Sequence, residues 1–217
     1  MGTNGGDKLL YLKHNGVPAD YYEQGLRSNI FQKYWHQKRF AVIKSFLRNI
    51  KGPVLDIGCH SGIVTNLIYS RTKNKTYGID ISKKAIEWAK NKYPQTTFLE
   101  ADISKIPFPN HFFSTVTCFD ILEHLLHLEK SLIEIKRILK PNGHLIVGQM
   151  GENILFKIAW YYWTNFNRGK IWRDCHFPNF SSKKLQKILI DLGFKKLKEK
   201  YIHFRMWQII KYQLKNL

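Results

Sequence analysis

Three short apolar runs each lead into polar or glycine-rich residues: VLDIGCHSG (54–62), YGIDIS (77–82) and LEADIS (99–104). In the first, Gly58 and Gly62 flank Cys59, His60 and Ser61. Glycines there permit a tight turn and a close backbone approach to a polar group. Asp80 follows about twenty residues on, at the end of a second run. A carboxylate in that place can accept two hydrogen bonds from the vicinal hydroxyls of a ribose. Asp102 stands just past the third run, where it can accept from an adenine amino group, with the backbone amide of Ile103 completing the base contact. Each acid alone reads as an ordinary solvated loop residue. Together, on one edge of a sheet, they describe a site for a polar cofactor. The pattern GxGxxG is absent, because position 60 is His and position 63 is Ile. That counts against a dinucleotide, whose pyrophosphate needs backbone very near the helix end.

These residues need elements to hold them. Phe31, Tyr34, Trp35, Ala41, Val42, Phe46 and Leu47 recur at helical spacing, which predicts a helix over 20–50. Lys51-Gly52-Pro53 breaks it. Strands are expected over 54–57, 76–79, 97–100, 114–119 and 144–149. Helices are expected over 61–70, from Ser82 as cap to 92, and from Glu123 to Leu139, with Pro141-Asn142-Gly143 as the stop. The alternation predicts an α/β fold, a parallel sheet with helices on both faces. Residues 150–180 interrupt the rhythm with a run dense in aromatics. A helix from Ser181 or Ser182 to Gly193 and one or two strands in the tail complete the chain. We divide it into an N-terminal helical cap, 1–50, and an α/β domain, 51–217, carrying an insertion over 150–180.

The chain has 217 residues, enough for one domain with a full core. Its three cysteines form no CxxC pair, so neither a zinc knuckle nor a disulfide framework is supported. No apolar run is long enough to span a bilayer, and the N-terminus lacks the apolar segment of a signal peptide, so a cytoplasmic protein is expected. Its polar first residues, MGTNGG, are expected to be disordered. The net charge of +19 has two readings: a surface for phosphates, or a lysine-rich composition with no special role.

VLDIGCHSG, YGID, EADI and FDILEHL…LKPNG together resemble the class I S-adenosylmethionine-dependent methyltransferases over about residues 50–150. The resemblance implies a Rossmann-like fold with a mostly parallel seven-stranded sheet flanked by helices. It carries cofactor binding onto Asp56, Gly58, Cys59 and Gly62 in the first loop, onto Asp80 and Ile81, onto Asp102 and Ile103, and onto Phe119 near the methionine end. S-adenosylmethionine has no phosphate, so His60 between the glycines is tolerated, most simply as local turn packing. VTCFDILEHL is also similar to the polyprenyl-quinone O-methyltransferases of the ubiquinone-biosynthesis type. That likeness implies a divalent-metal set of Asp120, Glu123 and His124, and puts Lys38 and Arg39 where those enzymes place an arginine near the cofactor's carboxylate, Arg39 being the residue of matching type. His124 and His176 are the candidate general bases for a hydroxyl acceptor.

Tyr21 and Tyr22 are expected to cover the cofactor. The insertion, with Trp160, Tyr161, Tyr162 and Trp163 beside Lys157, Arg168, Lys170 and Arg173, has the composition of a membrane interface. In this fold it would lie over the acceptor pocket. The expected activity is methyl transfer to a small or lipid-linked acceptor, oxygen favoured, with peripheral attachment to an anionic membrane surface. An RNA methyltransferase using the basic surface, and a binding protein without catalysis, are the rivals.

Overall fold

The computed structural model describes residues 16–125, 127–173 and 181–216. The first helices are α1, Tyr21–Ser28, and α2, Ile30–Phe46, where the spacing predicts a single helix. The break is Asn29, whose backbone is extended (φ −141°) and whose side chain accepts from the amides of Phe31 and Gln32. An asparagine able to cap overrides an uninterrupted apolar rhythm. Then come β1, Val54–Ile57; α3, Ile63–Thr72; β2, Thr76–Asp80; α4, Lys83–Lys92; β3, Thr97–Glu100; and β4, Phe113–Phe119. A 3-10 turn at Leu122–His124 precedes α5, Leu128–Ile138, so the predicted helix from Glu123 begins about one turn late. Strand β5 spans Leu139–Met150. The helix ends at Ile138 with Leu139 as its cap, two residues before Pro141 as expected, and Pro141-Asn142-Gly143 lies where pairing jumps from Phe113↔Leu139 to Thr115↔His144. The chain closes with α6, Ile154–Phe166; a 3-10 turn, Arg168–Trp172; α7, Ser182–Asp191; β6, Phe194–Ile202; and β7, Trp207–Leu214.

The sheet order is β3-β2-β1-β4-β5-β7-β6. The first five strands are parallel; β7 runs antiparallel to β5, and β6 to β7. This is the expected Rossmann-like, mostly parallel sheet. Alternate residues feed opposite faces. Val54, Ile146 and Ile209 pack with Val42, Ile43 and Phe46 of α2 and Ile68 of α3. Leu55, Ile57, Val116 and Val147 pack with Leu132 and Ile135 of α5 and Leu185 and Leu189 of α7. Strand order reverses at β1, with β2 on one side and β4 on the other. The crevice above the carboxyl ends of these strands is where open α/β sheets bind ligands.

Candidate active site

A cavity of about 1250 Å³ opens over that crevice. Its volume exceeds the roughly 300–1,000 Å³ of a typical small-molecule pocket, leaving room for two ligands side by side. The loop after β1 forms one wall. Gly58 has φ +70°, and a Cβ there would come within 2.7 Å of Ile121. Gly62 has φ +79°, and a Cβ there would come within 2.7 Å of Phe98. Both positions therefore demand glycine. Between them His60 also takes a positive φ, 43°. Its amide donates to Asp80 Oδ2 at 2.9 Å, which binds the first loop to the end of β2. The other oxygen of Asp80 accepts from the Ser82 amide at 2.9 Å. Asp80 and Ile81 line the cavity, as do Asp102, Ile103 and Ser104 from the loop after β3. Asp102 itself is exposed at the rim and accepts from the Ser104 amide at 2.7 Å.

Asp56, Cys59 and Gly62 do not line this cavity; Asp56 and Cys59 line a small pocket that adjoins it. Asp56 lies mid-strand with both oxygens taken, by the hydroxyls of Thr65 and Thr117, each at 2.7 Å. Thr117 is its register partner across β1 and β4, and Thr65 belongs to α3. Burial pushes the Asp56 carboxyl up to about 6 against those two bonds. Asp56 thus ties the helix after the loop to the sheet from behind. Cys59 packs with Ile86, Ala89 and Phe98, and burial raises its thiol. In a tight turn the alternate residues face away from the ligand, and the sequence pattern does not reveal which.

The centre of the cavity floor is charged. Asp120, with φ +54°, follows β4; it pairs with Arg39 of α2 and accepts from the indole Nε1 of Trp207 at 2.8 Å. The Arg39 guanidinium stacks on the Trp207 ring at 4.7 Å, and its Nε is buried without a partner. Glu123 is buried beneath this group, and neither carboxylate oxygen has a hydrogen-bond partner. Burial, aided by Asp120, pushes its carboxyl up to about 8; the nearby amides of Glu123 and Met150 and the charge of Arg39 oppose the rise. Asp120, Glu123 and His124 do not form the metal set suggested by the resemblance. Among the described residues no three His, Cys, Asp or Glu side chains converge on one point. Both oxygens of Asp120 are committed to Arg39 and Trp207. His124 is buried and lines the cavity. His176 lies outside the described residues.

Tyr21, Tyr22 and Gly25 of α1, with Phe31, Trp35 and His36 of α2, close one side. Tyr22 meets the His60 ring edge-on at 5.6 Å and the His36 ring at 5.7 Å. Burial holds His36 down to about 3, so that ring is neutral at physiological pH, and burial also lowers His60 against the charges of Asp80 and Glu23. Phe156, Ala159, Trp160 and Trp163 of α6 form the opposite wall, with Trp172 beside His124 at 6.5 Å between rings. The sequence pointed to α1 and to the aromatic insertion. It gave no hint of Met206 or of the role of Trp207, which enter from the last hairpin.

Residues 55–147 match the family model described as a methyltransferase domain. The chain is 30% identical over 146 residues to a ubiquinone/menaquinone biosynthesis C-methyltransferase of Stutzerimonas stutzeri, covering 62% of this chain and 56% of that protein. It is 24% identical over 169 residues to a probable S-adenosylmethionine-dependent methyltransferase of Mycobacterium tuberculosis, covering 75% of this chain and 56% of that protein. The chain spans about half the length of these curated relatives. Its fold is similar to that of a magnesium protoporphyrin IX methyltransferase from Synechocystis, solved with bound SAH. That likeness has a TM-score of 0.74 at 20% identity, over 95% of this chain and 98% of the other.

Proposed function

We propose that the chain is a class I S-adenosylmethionine-dependent methyltransferase that methylates a small or lipid-linked acceptor, with a hydroxyl oxygen as the favoured receiver; the methyltransferase-domain match over residues 55–147 and the likeness to S-adenosylmethionine-dependent relatives support it. One observation carries this reading: a single cavity joins a sugar-and-base end, at Asp80 and Asp102, to an acceptor end walled by Phe156, Trp160, Trp163 and Trp172.

The residues suit the cofactor. Each oxygen of Asp80 accepts one backbone amide and keeps lone pairs for a ribose hydroxyl. Asp102 and the Ile103 amide stand at the base position. Arg39, with its spare buried Nε, is placed to receive a carboxylate. The neutral His36 ring, aromatic faces and the carboxylates of Asp80 and Asp120 make surroundings that tolerate a cation. When bound, S-adenosylmethionine supplies a methyl group already activated on a sulfonium sulfur.

The protein's work is then alignment, water exclusion and disposal of one proton. The residues before position 51 act as the cap: α1 and α2 close over the cofactor through Tyr22 and His36, and α6 closes over the acceptor. A hydroxyl acceptor arrives protonated, and His124 is the proposed base for it, with His176 the second candidate on sequence grounds. A carbon acceptor, as the name of the S. stutzeri relative indicates for that protein, would need the same two ends of the cavity.

Methyl-labelled S-adenosylmethionine incubated with the protein and a total cell extract, then fractionated, tests the reading. Label in the organic phase is expected. Label in RNA would favour the basic surface, +19 overall, as the substrate site. Label nowhere, with the cofactor bound, would overturn catalysis.

A further inference from the structure

Helix α6 carries one charged residue, Lys157, and no continuous polar face. Phe156, Trp160 and Trp163 face the cavity. The opposite stripe, Ile154, Leu155, Ile158, Tyr161, Tyr162 and Phe166, is half to two-thirds exposed. A helix without a polar face is normally buried on both sides. The stripe does not stand alone. The Asn153 side chain donates to the Phe204 carbonyl at 2.9 Å, joining the start of α6 to the turn between β6 and β7. His203 of that turn stacks on Trp35 of α2 at 4.0 Å. Phe204, and Ile30 and Phe31 at the head of α2, are 82%, 76% and 81% exposed. Of the fifteen large apolar side chains exposed among the described residues, eleven lie within residues 30–46, 154–173 and 200–216. Phe31 also lines the cavity, so the apolar face borders its mouth.

The charge of the same segments is one-sided. Residues 30–46, 154–173 and 200–216 hold twelve lysines and arginines and no acid, although the chain has 16 acids elsewhere. Lys33, Lys38, Lys157 and Arg205 are exposed around the patch. Aliphatic tips with aromatic and basic neighbours are what an anionic bilayer interface accepts. Ile30, Ile154, Leu155 and Ile158 give bases nothing to stack on, whereas a bilayer interface takes these aliphatic side chains together with the aromatic ones. We propose that this face docks on an anionic lipid bilayer, bringing the cavity mouth to the membrane so that the acceptor enters from the lipid. The proposal rests on the lipid-linked form of the functional reading and adds the surface that reaches the lipid.

Flotation of the full chain with vesicles tests it, using phosphatidylcholine alone and phosphatidylcholine mixed with phosphatidylglycerol in roughly equal parts. The expected result is partition onto the mixed vesicles only, weakened by salt. Ile158→Asp with Tyr162→Asp, and separately Phe204→Asp, should each reduce partition about tenfold or more. These side chains face solvent, and unchanged S-adenosylmethionine affinity confirms that each variant is folded. Absence of partition, or partition indifferent to both variants, would overturn docking. A stable dimer that Ile158→Asp dissociates would assign the face to a second copy, and salt-sensitive retention of RNA without vesicle binding would assign it to nucleic acid. Either result also overturns docking. Absence of vesicle binding by the parent chain, with its S-adenosylmethionine affinity intact, rejects docking alone. Failure to bind S-adenosylmethionine rejects the functional reading, while the vesicle result stands on its own.

Discussion

Asp80 does two jobs with one carboxylate: it fixes the turns after β1 and β2 through the His60 and Ser82 amides, and it faces the cavity. Asp80→Ala should weaken S-adenosylmethionine binding on the order of a hundredfold or more, since two charge-assisted hydrogen bonds are worth roughly 1.5–3 kcal/mol each. Asp80→Asn should lie between. Titration calorimetry on both variants checks this, and unchanged affinity would sink the ribose assignment. Glu123 makes a different prediction. Its carboxyl titrates at about 8 in the folded protein against an ordinary 4.5. Over that window the folded chain keeps a proton that the unfolded chain has released, so stability falls as pH rises. Asp56, raised from 3.8 to about 6, contributes with the same sign at lower pH; His36, lowered from 6.5 to about 3, contributes with the opposite sign. Glu123→Gln should remove one share only. The fall in melting temperature between pH 5 and about 8.5 should shrink relative to the parent protein, as calorimetry at several pH values would show.

Two elements hold the cavity from outside the region that resembles the family. Helix α2 starts at the Asn29 cap. Asn29→Ala should cost about 1 kcal/mol in denaturant unfolding and speed hydrogen exchange in the first turn of α2, beside the cavity mouth. Strand β7 delivers Trp207 to Asp120 across 87 residues of sequence. Trp207→Phe keeps an aromatic ring but leaves an Asp120 oxygen unpaired, and should lower stability by roughly 1.5–3 kcal/mol. Chemical denaturation measures that loss. These elements also mark how far the sequence could be read. Strands β1 to β5 were legible because short apolar runs bounded by turn residues have few alternatives in an α/β chain. Asp80 and Asp102 were legible because they stand at strand ends. The place of Asp56 behind the loop was not legible, because it stands inside a strand and its partners Thr65 and Thr117 come from two other elements. The Arg39–Asp120 pair joins residues 81 apart, and no local pattern announces such a contact. The Asn29 cap carried a local signal, but the apolar spacing continued straight through it.

At the scale of the whole molecule, charge and aromatic content are unevenly spread. Asp80 and Asp102 line one end of the cavity, residues 30–46, 154–173 and 200–216 carry bases and no acid, and among the described residues no helix is long and apolar enough to cross a membrane. If the +19 charge works through a surface, added salt should weaken association with any anionic partner while leaving the affinity for S-adenosylmethionine nearly constant. Parallel titrations at low and high ionic strength would check it. The tryptophans are just as uneven. Of the six, Trp35, Trp160, Trp163 and Trp172 line the cavity, Trp207 stacks on Arg39 in its floor, and Trp88 alone lies on α4 away from it. The chain therefore carries its own optical probe. Its intrinsic emission comes almost entirely from the walls of one chamber, and Trp88→Phe would remove the one indole remote from it. Filling the chamber can then be followed as a change in colour and brightness, without a dye and without turnover.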